Sequence, residues 1–244
     1  MKLNLIVIAT FTLLLFADKN QAEAQATNYC LEFNGTTSHA VVEHLDGLKT
    51  LDGADNFTFE AWIRPRSQGG GGRGRILQQV GGKLNWYLSD DTRFGFRAGH
   101  KAGWRLSEAG AIQYWQWQHI AAVADGTQMR YYIDGKLVQR IKKNIQLDIT
   151  NDALWIGDGF GEDNKPRAYD GWIDEVRISN KCLYTSEFTP IRHFEYDSST
   201  VMLFHFDEAL TIPFALDATT YNAEIQIIDP LNGTQDSPRR VKVE

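Results

Sequence analysis

SQGGGGRGRILQ, residues Ser67 to Gln78, decides which class of fold the chain can adopt. Gly69, Gly71 and Gly74 fit G-x-G-x-x-G, the spacing that lets a backbone wrap a pyrophosphate. A phosphate-cradling loop of that kind follows a strand and opens a helix whose N-terminus carries the anion. Here Arg75 to Val80 forms a short run that stops at Gly81-Gly82, leaving no room for a helix. Four consecutive glycines also maximise flexibility, which a preorganised phosphate nest avoids. The stretch therefore reads as a loop between strands.

Working outward, the dominant signal is period two. Phe57 to Arg64 alternates apolar and polar residues until Pro65 ends the run. Similar short runs are Arg75 to Val80, Lys83 to Leu88, Arg93 to Ala98, Gln118 to Ala124, Arg130 to Ile133 and Lys136 to Arg140. Further strands are expected at Ala153 to Gly157, Gly171 to Ile178, Val201 to Phe206 and Glu224 to Ile228. Asp134-Gly135 predicts a tight hairpin, because both central residues of such a turn need positive φ. No segment of helical length shows i, i+3, i+4 patterning beyond the N-terminal run. The pattern is all-β, an antiparallel sandwich or barrel.

Lys2, the apolar run Leu3 to Phe16 and the A-x-A motifs ending at Ala24 and Ala26 read as an export signal over residues 1–26. Export to the periplasm, cell surface or medium, in a bacterium, is the resulting expectation. No later stretch is apolar enough to span a membrane. A formal charge of −6 leaves no basic stripe for nucleic acid. Cys30 and Cys182 fit either a disulfide, which an exported chain permits, or two buried thiols.

Several segments together resemble the laminin-G-like, concanavalin A-like lectin/glucanase jelly-roll family. They are Leu31 to Gly35, Phe57 to Ile63, Trp117 to Ala121, Tyr132 to Lys136, Trp155 to Gly157 and Gly171 to Ser179, followed by Tyr184-Thr185 and Phe188 to Pro190. The resemblance implies a two-sheet antiparallel jelly-roll sandwich over residues 27–230, with 201–228 as closing strands and 231–244 as a tail. It also implies that Trp62 and Trp117 belong to the framework, and Trp155, within the strand Leu154 to Gly157, reads as core. It implies no single activity, since such scaffolds host lectins, adhesion modules and glycoside hydrolases.

A hydrolase of this fold carries paired carboxylates on one face of a strand. The Glu-x-Asp-x-x-Glu pattern of that branch is absent, and adjacent Asp174 and Glu175 should point to opposite faces. The six histidines lack His-x-His or His-Glu-x-x-His spacing, so no zinc site is predicted, and His119 reads as a hydrogen-bonded structural residue. Family resemblance places a structural calcium ion where Asn34-Gly35 meets Asp174. Sugar rings pack on aromatic faces while amides and charged groups take their hydroxyls. The aromatic candidates are Trp86, Trp104, Trp115, Trp172 and Tyr114, with Asp158, Asn164 and Arg167 supplied by a charged loop. The expected function is non-catalytic binding of a glycan or polysaccharide, with adhesion to a cell-surface protein complex and a divergent glycoside hydrolase as alternatives.

Overall fold

Phe57, Phe59, Ala61 and Ile63 are fully buried on one side of a ten-residue strand, and Glu60 lies on the other. That alternation organises the whole chain. The computed structural model describes residues 28–79, 83–99, 105–142, 145–160, 165–210, 212, 214–227 and 237–243. The expected export signal lies outside these residues.

In chain order the strands are β1 (Tyr29–Asn34), β2 (Ala40–Glu43), β3 (Asn56–Pro65), β4 (Arg75–Gln79), β5 (Leu84–Ser89), β6 (Arg93–Ala98), β7 (Arg105–Leu106) and β8 (Gln118–Asp125). They continue as β9 (Met129–Ile133), β10 (Lys136–Ile141), β11 (Leu154–Ile156), β12 (Asp170–Ser179), β13 (Thr200–Phe204), β14 (Phe214–Leu216), β15 (Glu224–Gln226) and β16 (Arg239–Lys242). One short helix, α1 (Asp46–Lys49), follows β2. The first sheet runs β10-β9-β8-β3-β12-β1-β16, with β13 also pairing with β12. The second runs β14-β15-β2-β11-β4-β5-β6-β7. Phe33, Phe59, Ile63 and Ile173 from the first sheet share one apolar core with Leu77, Trp86, Phe96 and Ile156 from the second.

The sandwich expected from the sequence is thus observed, and the β9–β10 hairpin turns at Asp134 and Gly135 with φ of 50° and 73°. SQGGGG is a loop, as read, leading into strand β4. One expectation changes, and one open alternative is decided. Residues 239–242 are not tail: β16 pairs with β1, Tyr29 facing Lys242, and closes an edge of the first sheet. Cys30 and Cys182 are free thiols. Cys30 Sγ contacts the Val241 carbonyl, whereas Cys182 Sγ contacts Tyr184 O, beyond the far end of β12.

Residues 180–196 cross the outer face of the first sheet as a strap. Beneath it lies a buried polar knot. Glu60 accepts hydrogen bonds from Arg177 Nε at 2.8 Å and Tyr184 OH at 2.8 Å, and its other partner is His119 Nε2 at 3.0 Å. Phe188 packs on Tyr184, Tyr132 and His119, and Trp62 Nε1 donates to Ile191 O. With the strap in place, most of that face is covered. On the outer face of the second sheet a shorter segment around Gly159 and Phe160 lies over Gln78 and Arg75.

Candidate functional site

On the second sheet, the pleat that turns Leu77, Trp86, Phe96 and Ile156 into the core turns their neighbours outward. Cross-strand register then lines up Trp155 with Gln78, Gln78 with Asn85, Asn85 with Arg97, and Arg75 with Tyr87. This outer face is polar yet recessed, for Arg75, Gln78, Asn85 and Tyr87 are almost fully buried. At one end the aromatics gather: His39 stacks on Trp155 at 4.4 Å, and Phe160, 46% exposed, lies 5.7 Å from the same indole. At the other end the cations gather. The Arg75 guanidinium sits 4.9 Å over the Tyr87 ring and bonds Gln78 Oε1, whose amide donates to Phe160 O. Burial, together with the charges of Arg167, Arg73 and Arg97, pulls Arg75 down to about 10 against the opposing pull of Tyr87.

The glycine stretch forms part of the rim. Gly70 N donates to Ala168 O, and Arg167 Nη1 donates to Gly71 O at 3.0 Å. Gly71 has φ 55°, and a Cβ there would collide with the Arg167 guanidinium. The glycines therefore serve close approach of two backbones, bringing Arg167 to this face.

Asp158 completes the face. Burial pushes its carboxyl up to about 6, against the Gly159 N–H bond and the charges of His39 and Arg75. A raised carboxyl makes the folded protein hold its proton longer than the unfolded chain does. Ionisation therefore costs stability progressively between the ordinary aspartate value of 3.8 and about 6, and fully above that. Asp158→Asn, which keeps the oxygen facing Gly159, is expected to melt higher than the parent at pH 8 and to converge with it near pH 4. Equal melting curves at pH 8 would contradict the assignment.

The predicted ligand residues separate onto two faces. Asp158 and Arg167 belong to the recessed face just described. Trp115 and Trp172 lie instead on the outer face of the first sheet, 5.9 Å apart, beside a groove of about 320 Å³. Cys30, Glu32, Arg64, Trp117, Trp172 and Arg239 line it. Trp115 is 56% exposed at φ 65°, pinned by its N–H to Pro65 O and by Arg64 Nε to its carbonyl. Arg64 and Arg66 lie 5.0 and 4.8 Å from the Trp172 ring centre. Burial opposes ionisation of Glu32, but bonds from Arg239 and Arg66 outweigh it and hold the carboxyl below its ordinary value. Tyr114 is partly exposed, its phenol raised by burial and by Asp90. Trp104 and Asn164 lie outside the described residues.

Several expectations are corrected. Trp86 is a core residue at 0% exposure, so it is not a ligand contact. Trp155, expected in the core, faces outward between buried Leu154 and Ile156. The calcium set does not converge. Asn34 faces Asp170, four residues from Asp174, a span of about 13 Å along the strand. Asn34 Oδ1 accepts instead from the N–H groups of Thr36, Thr37 and Ser38, and Asp174 pairs with Arg192 at 2.7 Å. Asp174 and Glu175 do not point to opposite faces either. A bulge between Asp174 and Arg177, with Glu175 at φ 52°, turns both toward the strap, where they meet Arg192 and His193 in succession.

The sequence profile of the concanavalin A-like lectin/glucanases superfamily matches residues 34–188. Among curated proteins nothing matches. Similar solved structures include a candidate carbohydrate-binding protein from Bacteroides ovatus ATCC 8483, with a TM-score of 0.67 at 16% identity, covering 89% of this chain and 60% of that one. The chain thus spans about three fifths of that relative's length. A native heptameric SAP-like pentraxin from Limulus polyphemus is similar at TM-score 0.50 and 17% identity, over 66% of this chain and 79% of that one. Ruminococcus gnavus IT-sialidase CBM40 bound to α2,3-sialyllactose is similar at TM-score 0.50 and 14% identity, over 63% and 92%. At such identities the likeness establishes the fold.

Proposed function

The chain belongs to the concanavalin A-like lectin/glucanases superfamily, and we propose that it is an exported, non-catalytic module that binds an acidic saccharide on the outer face of its second sheet. One observation carries this reading: aromatic and cationic side chains share a single recessed face. Sugar C–H faces pack on Trp155 and Phe160, and a carboxylate or sulfate meets the guanidiniums of Arg97 and Arg167 at the margin of the face. Arg75, Arg97 and Arg167 give the face a cationic character although the chain is acidic overall, which suits an acidic sugar. One similar structure is bound to sialyllactose and another is named as a candidate carbohydrate-binding protein, which supports the class of ligand. The non-catalytic reading rests on the sequence, which lacks the Glu-x-Asp-x-x-Glu pattern of the hydrolase branch.

The test is binding to a panel of acidic and neutral polysaccharides, with calcium and again with a chelator. Saturable binding to an acidic member, weakened by salt, is expected. Trp155→Ala and Arg97→Gln should each weaken it about tenfold or more, roughly 1.4 kcal/mol, while Trp172→Ala changes it less than twofold. Loss with the chelator would add a cation to the ligand site. The reverse pattern among the variants would move the site to the groove beside Trp172. A second reading, docking of that groove's face on a cell-surface protein, is favoured by the exposed Trp115 beside Trp172. A blank panel under both conditions would overturn the saccharide reading and leave that one.

A further inference from the structure

Glu175, His193 and His205 come from three separate segments: the β12 bulge, the strap, and the residues just after β13. Among the described residues, their ligating atoms form the group that lies within 4.8 Å of one another. His205 Nδ1 is 2.9 Å and His193 Nδ1 3.0 Å from the same oxygen, Glu175 Oε1. The two imidazoles stack at 4.2 Å and 16° so that the same nitrogen of each ring points the same way. Asp207 stands next to them. Its Oδ1 accepts the Tyr29 N–H, and its Oδ2 lies 3.8 Å from His193 Nδ1.

We propose that these residues form a binding site for a first-row divalent transition metal, best suited to Zn²⁺, with Glu175, His193 and His205 as ligands and solvent or a ligand taking the fourth position. Nitrogen and oxygen ligands about 2.0–2.1 Å from zinc stand about 3.3 Å from each other at the corners of a tetrahedron. The two separations from Glu175 Oε1, 2.9 and 3.0 Å, lie just inside that edge, and all three ligating atoms stand within 4.8 Å of one another. Without a metal, both ring nitrogens face the same carboxylate oxygen. A cation among them accepts both nitrogen lone pairs at once. Imidazole donors select zinc, copper or nickel over calcium, which takes oxygen ligands. The backbone is strained to present the ligands: Glu175 and Phe206, the residue after His205, both hold positive φ, at 52° and 62°. Glu175 is also fixed from behind, its Oε2 accepting the Phe194 N–H at 2.8 Å. His193, with its side chain 60% exposed, leaves an entry path. The site joins the strap to β12 and to the segment after β13, so its metal would act as a cross-link.

The experiment titrates metal-stripped full-length protein with Zn²⁺ alone by calorimetry, and follows Co²⁺ loading by its visible absorption. One equivalent is expected, with micromolar or tighter affinity, a tetrahedral Co²⁺ spectrum, and a Tm raised by about 5 °C or more at a hundredfold excess over Kd. His193→Ala removes an exposed side chain, so the metal-free variant should melt with the parent while binding Zn²⁺ at least a hundredfold more weakly. His205→Gln should behave likewise in binding. Millimolar or non-stoichiometric binding, unchanged affinity in His193→Ala, or a preference for Ca²⁺ would each overturn the assignment. Saccharide binding plays no part in the readout, so this test stands or falls apart from the proposed function.

Discussion

Glu60→Gln is expected to lower stability by about 3–5 kcal/mol, read as a drop of roughly 6–20 °C in Tm or the equivalent shift in urea midpoint. The change keeps the shape of the side chain and removes its charge. Arg177 is then left buried beneath the strap without a carboxylate, and the single amide oxygen can serve either Arg177 or the pair of His119 and Tyr184, not both. Breaking one side of a buried ion pair costs far more than the intact pair contributes, which is why the effect is large. The same knot sets a pH limit. Burial works against the ionised Glu60, but the bonds and charges of His119 and Arg177 outweigh it, and its carboxyl is depressed below the ordinary 4.5. A depressed acid contributes stability above its unfolded value and loses it as pH falls through the folded one. The parent should therefore lose stability below about pH 4.5 more steeply than Glu60→Gln does. A variant that melts within about 2 °C of the parent at pH 7 would show that the strap is held by its apolar contacts alone.

Trp86→Ala should cost about 3–5 kcal/mol in global stability, through lost burial and the cavity left against Phe59. Trp86→Phe should cost far less. The indole N–H has no acceptor among the described residues, so its removal takes away an unpaired polar group and offsets part of the lost volume. The pair of variants separates a core role from a ligand role. If Trp86 is core, the fraction of Trp86→Ala that remains folded binds saccharide with the parent's affinity. Lost affinity at unchanged Tm would return Trp86 to the binding surface.

The exchange of roles between Trp86 and Trp155 shows how far sequence reasoning reaches. Period two located most of the strands, because apolar residues at alternate positions bury one face of a pleated chain whatever surrounds it. The same alternation also held the answer for these two tryptophans. Leu84, Trp86 and Leu88 share one parity, so Trp86 must join the leucines inside. Trp155 stands between Leu154 and Ile156, so it must face out. Membership of a strand placed Trp155 in the core, and aromatic content alone made Trp86 a candidate; local parity outranks both. Gln78, Asn85 and Arg97 were open to the same argument but invisible without the register that sets β4, β5 and β6 side by side.

Other features were out of reach for a different reason. Glu175 breaks the alternation at a bulge, and no residue type in Trp172 to Arg177 announces a positive φ at a glutamate. His193 and His205 are twelve positions apart, in segments with no periodicity, and only the strap's path brings them together. The β16 strand is short, lies beyond a long polar stretch, and has Pro238 immediately before it, so composition made it resemble a tail. The loop reading of the glycine stretch succeeded because it needed only the six residues from Arg75 to Val80 and the Gly81-Gly82 stop beyond them. The purpose of the glycines did not emerge from sequence, since the backbone they make room for lies about a hundred residues away at Arg167 and Ala168.

The pairing of β16 with β1 determines how the molecule responds to tension. Tyr29 faces Lys242 and the strands are antiparallel, so a force separating these two residues peels the ladder one hydrogen-bonded pair at a time, from Tyr29–Lys242 toward Glu32–Arg239. Successive rupture resists far less than shearing all the bonds together, and the four-residue strand yields before the rest of the sandwich. The recessed surface around Trp155 keeps β4, β5 and β11 as its supports while β16 gives way, whereas the groove beside Trp172 loses Arg239 from its wall. A module stretched between two attachments would thus lengthen first at its least essential strand, and could re-form that strand when the load is released.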